Sequence, residues 1–381
     1  MEFGVFVGMY HPNHRRAAGE TEQAVLRAEL DVVQAADRSG FKYVWVTEHH
    51  FLDEYSHLSA NEAWMAYALA ITERIHIGSG IINITPPVCH PARVAEKVAM
   101  LDQLAPGRFE FGVGRGSSST EVFGFGIDSM DTTRDMFDEA LPEIVKMMGP
   151  DEYPGYEGKF FALPRRQVLP KPETLPHPPI WVAAGSPGTF ERAARMGIGV
   201  LCFSFAGPEA LKPLIEIYKN TIADAEPVGG YVNDNVMVTS AMMTLEDGAR
   251  AREVFRNNQN GYHTSLVAKY LDSFPQAAGI DKTPKLEPPV PLEQVNKAIE
   301  MGAIAVGTPE EAINAMRKYE AIGADQVSFG VLSDDTPFDA AVESVETFGK
   351  YVLPEFDKDP EFSTTRQRTA QVGGGQVGAR S

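Results

Sequence analysis

The string Thr47-Glu48-His49-His50-Phe51 places a carboxylate and two imidazoles side by side at the end of an apolar run, Tyr43–Thr47. Imidazole titrates near neutrality and suits proton transfer at a reacting centre. If the run is a strand, neighbouring side chains point to opposite sides, so the two histidines cannot share one role. One is expected at the mouth of a site and the other packed sideways. The same alternation keeps three adjacent residues from closing on one ion, so no metal centre is expected here. A hydrogen-bonded pair of structural histidines would give the same string.

Two further run ends carry anion chemistry. Gly112-Val113-Gly114-Arg115-Gly116 is not a dinucleotide pattern, because its third glycine falls one place early, and no Lys-Ser/Thr follows to make a phosphate loop of the nucleotidase type. What remains is an arginine between glycines: glycine admits close backbone approach, and a guanidinium can grip a phosphate with two parallel bonds. A turn with a surface arginine reads equally well on this segment alone. Ala183-Ala184-Gly185-Ser186-Pro187-Gly188-Thr189 reads as a strand end, a serine N-cap and a proline in the first helical turn. A helix start offers free amides, and Ser186 and Thr189 add hydroxyl donors. Taken with Arg115, a phosphate site is the better reading.

A repeating framework must position these stretches. The apolar runs Glu2–Met9, Tyr43–Thr47, Ile75–Ile82, Arg108–Gly114, Pro179–Ala183, Ile198–Phe203, Val236–Met242 and Gln326–Val331 alternate with helical patterns. They are nearly all apolar, as strands covered on both faces should be. Gly40 and Gly197 read as helix stops; Ser59-Ala60-Asn61-Glu62 and Thr308-Pro309-Glu310-Glu311 read as capping boxes. Eight βα units predict a closed (β/α)₈ TIM barrel over residues 1–355, with its site at the C-terminal strand ends. A doubly wound sheet would have the same strand count. Residues 149–178, after the fourth strand, predict a hairpin or extended flap. Residues 256–300, after the seventh, are a candidate lid. The polar tail, 356–381, is expected to be disordered.

Composition excludes several classes. The 381 residues are 43% hydrophobic, enough for one large core. With 52 acidic against 34 basic residues the net charge is −18, which repels nucleic acid but leaves room for a small anion where arginines and amides converge. Cys89 and Cys202 read as free thiols in a reducing cytosol. The N-terminus lacks a basic flank and a long apolar run, and no run approaches the ~20 residues that span a bilayer. A soluble cytoplasmic protein with no membrane partner is expected.

Several stretches follow one another in a specific order. Thr47–Phe51 comes first, then Gly78-Ser79-Gly80-Ile81-Ile82, His90-Pro91-Ala92-Arg93, Ala95-Glu96 and Leu101–Phe109. Gly112–Gly116, Val122-Phe123-Gly124, Ile180–Thr189 and Val306–Glu310 complete the series. Together they resemble the bacterial luciferase-like family of flavin-dependent monooxygenases over nearly the whole barrel, most strongly over residues 41–135. The resemblance implies a (β/α)₈ enzyme that takes reduced FMN from a separate flavin reductase. With O2 it would oxygenate a small organic substrate through a flavin hydroperoxide. It implies that His49 is catalytic and lies near the flavin, and that Arg115, Arg134, Ser186 and Thr189 hold the FMN phosphate. Gly185 belongs to the same cofactor-binding segment, Phe6 and Glu121 match positions close to the flavin, and Gly80-Ile81 matches a non-proline cis peptide under the isoalloxazine. A homodimer is implied, pairing through the second and third helices with their Trp64, Met65 and Met100.

The luciferase catalytic subunit has a glutamate where Gly185 stands, a cysteine where Gly114 stands and a tryptophan near Ser204. The phosphate site here therefore lacks one neighbouring carboxylate, and the pocket wall changes shape. Two other readings compete: an oxidoreductase that uses a 5-deazaflavin on the same barrel, and a non-catalytic flavin-binding subunit.

Overall fold

Short apolar strands need partners on both edges, and here a ring supplies them. The computed structural model describes residues 1–53, 55–203, 207–258, 288–333 and 335–372. Its barrel strands are β1 (Glu2–Val7), β2 (Tyr43–Val46), β3 (His76–Ser79), β4 (Phe109–Gly114), β5 (Ile180–Ala183), β6 (Gly199–Cys202), β7 (Val236–Thr244) and β8 (Gln326–Gly330). They pair in chain order, all parallel, and β8 returns to β1 with Phe3 opposite Val327. Closure removes every edge and excludes the doubly wound alternative. Two short strands escaped the sequence reading: Ile82–Asn83, which pairs with β4, and Ala305–Gly307, which pairs with β7.

Large and small residues alternate inside the ring. Phe6, Tyr43, Trp45, Trp181, Leu201 and Met237 form the interior cluster, with the Trp45 and Trp181 rings edge-on at 5.0 Å. Their bulk dictates glycine opposite them: a Cβ on Gly78 would lie 2.4 Å from Trp45, and one on Gly199 would lie 2.5 Å from Trp181. Outside the ring, alternate strand residues such as Phe3, Val5 and Val7 pack against helices in one contiguous core.

Ser186 and Thr308 cap their helices as expected, both as complete boxes. The box expected at Ser59–Glu62 does not form. The helix Asn61–Ala70 starts after Ala60 with no side-chain cap, and Glu62 is drawn to Lys97 at 2.8 Å instead. Residues 149–178 contain the expected hairpin, with Tyr153–Glu157 antiparallel to Ala162–Arg166. Of the candidate lid, residues 259–287 lie outside the described residues, as does Ser204, and Leu292–Met301 is a helix.

The tail corrects the sequence reading. Residues Ser363–Val372 are helical, and the segment before them plugs the N-terminal end of the barrel. Phe362 stacks on His76 with ring centroids 3.7 Å apart. Ser363 donates Oγ–H to Glu2 (2.6 Å), and Thr364 donates to Glu110 Oε1 (2.8 Å). Lys42 ties the plug from below, donating to Glu2, Asp357 and the carbonyls of Asp359 and Glu361. Buried carboxylates need partners, and the polar tail supplies them.

Glu29, on the helix Glu22–Arg38, is buried and accepts a hydrogen bond from Met9 N at 2.9 Å, where the backbone turns through φ 44. Burial pushes its carboxyl up to about 8, from an ordinary 4.5. The native chain therefore holds a proton that the unfolded chain has lost. This contribution to stability is complete below the unfolded value and disappears as pH rises through the folded one. Glu29→Gln cannot ionise. Its urea midpoint is expected to gain on the parent's between about pH 6 and about pH 9. An unchanged gap across that range would show that Glu29 ionises normally.

Candidate active site

Strand β2 ends at Val46, and the chain then turns across the barrel mouth. His49 lines the cavity there, and His50 does not. His49 Nδ1 lies 3.1 Å from Glu121 Oε1, and a carboxylate accepts only, so Nδ1 carries the proton and Nε2 is the nitrogen left for a reactant. Glu121 Oε1 also accepts from His50 N at 2.8 Å, which fixes the carboxylate against the turn. Tyr55 packs on the His49 ring at 5.3 Å. His50 is turned away: it donates Nε2–H to Glu48 Oε1 (3.2 Å) and lies edge-on to Phe125 at 4.9 Å. Burial pushes the Glu48 carboxyl up, against the pull of His50.

The β4–β5 side of the mouth is cationic. Arg115 follows β4 and donates to two neutral oxygens, Met130 O (3.0 Å) and Thr133 Oγ1 (2.7 Å). Burial lowers its guanidinium below the ordinary value, and repulsion from Arg134 adds to this. Arg192 is lowered in the same way, by burial first and then by Arg134 and Arg115. The sequence reading missed Arg192. It lies on the helix Pro187–Arg195, one turn after Gly188 and Thr189, so helical spacing from the anion segment was the available signal. Arg192 also pairs with Asp138 and lies over the Phe137 ring. Ser186 and Thr189 bind each other and the start of that helix. A Cβ on Gly185 or Gly188 would meet nothing within 4 Å, so space is open beside this start.

One cavity of about 390 Å³ joins the two sides. Phe6, Gly80, Ile81, Arg115, Glu121, Gly185, Ser186 and Thr189 all line it together with His49. Arg134 is not among the lining residues: it is exposed on the helix Thr132–Met148, and its charge acts on both Arg115 and Arg192. Between the two sides the wall is apolar, with Phe6 and Phe203 rings 5.2 Å apart. The run read as one strand, Ile75–Ile82, breaks at a cis peptide between Gly80 and Ile81, and the Ile81 side chain lies over Gly114. A Cβ on Gly114 would come within 2.6 Å of it.

The family model for luciferase-like monooxygenases matches residues 1–326. The chain belongs to that family. It is 26% identical to the alkanal monooxygenase alpha chain of Photorhabdus luminescens over 372 residues, 95% of this chain and 99% of that one. Against the oxygenase component of a flavin-dependent trigonelline monooxygenase from Acinetobacter baylyi the identity is 25% over 371 residues, 94% of this chain and 96% of that one. Among solved structures, the barrel is similar to the oxygenating constituent of 3,6-diketocamphane monooxygenase from Pseudomonas putida. That protein is a type II Baeyer–Villiger enzyme in complex with FMN, and the match has TM-score 0.71, 20% identity and coverage of 93% of this chain and 98% of that one. The luciferase-like barrel and the monooxygenase class expected from the sequence are thus both established. No described helix is long and apolar enough to cross a membrane.

Proposed function

We propose that this luciferase-like monooxygenase takes reduced FMN from a separate reductase and oxygenates a small organic substrate with O2. The observation that carries this reading is the single cavity that has a carboxylate-held imidazole on its β2 side and a cationic helix start on its β4–β5 side. The residues present fit the cofactor. Arg115 and Arg192, with the hydroxyls and amides at Ser186–Thr189, would hold the phosphate, and Arg134 would strengthen the field. The buried Glu121 Oε2 has no hydrogen-bond partner among the described residues and offers an acceptor at the cavity wall. Phe6, Ile81 and Phe203 would flank the ring.

Bound reduced FMN supplies the electrons that activate dioxygen. The chain's own part is to exclude water with the apolar wall and to move a proton at His49 Nε2, while Glu121 holds Nδ1. Homodimer pairing through the helices Asn61–Ala70 and Pro91–Leu104 is part of the proposal. Of the residues expected there, Met100 is exposed, with Tyr67 and Leu104, whereas Trp64 and Met65 are buried in the chain's own core.

Isotopically labelled dioxygen tests the reading. The chain, FMN and a flavin reductase are offered a panel of aldehydes and cyclic ketones. One labelled oxygen atom per product molecule is the expected result. Turnover without oxygen when a reduced 5-deazaflavin replaces the FMN and its reductase would instead favour the 5-deazaflavin reading.

A further inference from the structure

Outside the cavity, the rim beside β1 gathers a second set of donors that the flavin chemistry does not use. His11 follows β1, Glu22 opens the helix Glu22–Arg38, and His57 sits on the loop after β2. One ring nitrogen from each histidine and one Glu22 carboxylate oxygen lie within 4.8 Å of one another.

One ring nitrogen of each histidine belongs to the cluster. His11 is buried, and its Nε2 faces the Glu20 carbonyl at 3.2 Å; a carbonyl accepts only, so Nε2 carries the proton. That leaves Nδ1 with a lone pair, and this atom is buried with no hydrogen-bond partner among the described residues. His57 differs: its Nδ1 faces Glu22 Oε1 at 2.9 Å and, since a carboxylate accepts only, donates its proton there, while Nε2 faces the Asp53 carbonyl at 3.3 Å. A cation at the cluster would displace that proton from Nδ1, and the Asp53 carbonyl is placed to accept a hydrogen bond from Nε2 as the tautomer changes. An imidazole held through its far nitrogen by a carbonyl is the arrangement that orients metal-bound histidines.

We infer that His11, His57 and Glu22 form a site for a divalent first-row transition ion, Zn²⁺ above all. Two imidazoles and a carboxylate are a zinc donor set that leaves a fourth position for water. The neighbouring charges permit a cation: Arg16 is paired with Asp53 and Arg15 with Glu20. Burial, the largest influence on His11, lowers its imidazole below the ordinary value, which favours the neutral form a ligand needs. The ion would tie three segments that are separate in sequence. One of them carries Tyr55, which packs on His49 and lines the cavity, so the role assigned is to steady the mouth.

The test needs neither flavin nor substrate. Tag-free full-length chain is stripped with a chelator and titrated calorimetrically with Zn²⁺, and Co²⁺ absorption reports the ligand geometry. One Zn²⁺ per chain is expected, with a rise in melting temperature. Glu22→Gln and His57→Ala, both at sites with solvent access, should each weaken binding at least roughly tenfold, the lower end of what the loss of even an outer partner costs. His11→Asn should do the same, and if it fails to fold the other two variants carry the test. No stoichiometric binding would overturn the site, leaving only the His57–Glu22 hydrogen bond there. Binding unchanged in both rim variants would also overturn it.

Discussion

Replacing His49 with alanine is expected to lower product formation by roughly 10²–10⁴-fold, the range for a lost general acid or base, while FMN still binds. Flavin oxidation should continue and release hydrogen peroxide, because the cavity still admits cofactor and oxygen but lacks the group that moves a proton. The geometry gives the reason for the contrast with its neighbour. His49 lines the cavity with Nδ1 committed to Glu121, so removing it empties the one imidazole position facing the reactants. His50 does not line the cavity and spends its ring on Glu48 and Phe125, so His50→Ala should lower stability and leave coupling near the parent's. Both variants are to be assayed with one reductase, one substrate and a peroxide stain. Full coupling in His49→Ala with activity lost only in His50→Ala would reverse the assignment.

Arg115→Ala is the second large effect. Hydrogen bonds to a charged group are typically worth roughly 1.5–3 kcal/mol, or about tenfold to a hundredfold in affinity, and FMN binding should weaken by that factor. Riboflavin, which lacks the phosphate, should bind the variant and the parent almost equally. The loss should be smaller for Arg192→Ala, whose charge is shared with Asp138, and smallest for the exposed Arg134. Equal FMN affinity in Arg115→Ala and the parent would place the phosphate elsewhere.

The barrel was legible because its strands are short, apolar on both faces and separated by helices with ordinary stops. The different facing of His49 and His50 came out as expected but not by strand alternation, because β2 ends at Val46 and both lie in the turn beyond it; the resemblance in motif order chose His49. Arg192 was less visible, since nothing in its own neighbours marks it: only its position one turn after Thr189 does. Arg134 was assigned to the site by the resemblance alone, and it lies exposed near the start of the helix Thr132–Met148. The tail misled for a different reason. Its composition is that of a disordered segment, but Ser363 and Thr364 answer carboxylates buried far away in sequence, on β1 and β4. A pairing across 361 residues leaves no local signal. The Ser59 box does not form because the helix starts one residue late for it, after Ala60, and Glu62 pairs with Lys97. The rim histidines are hidden in the same way, since His11 and His57 meet only when β1 and β2 pair.

The central claim is that this cavity binds reduced FMN and controls its reaction with oxygen. The most direct measurement is an anaerobic titration of the chain with reduced FMN, followed by rapid admission of O2 under a diode-array spectrometer. The account predicts saturable binding at one site per chain. It also predicts an absorption band, distinct from both oxidised and reduced flavin, that persists before the oxidised spectrum returns. Reoxidation at the rate of free reduced FMN, with no such band, would contradict it.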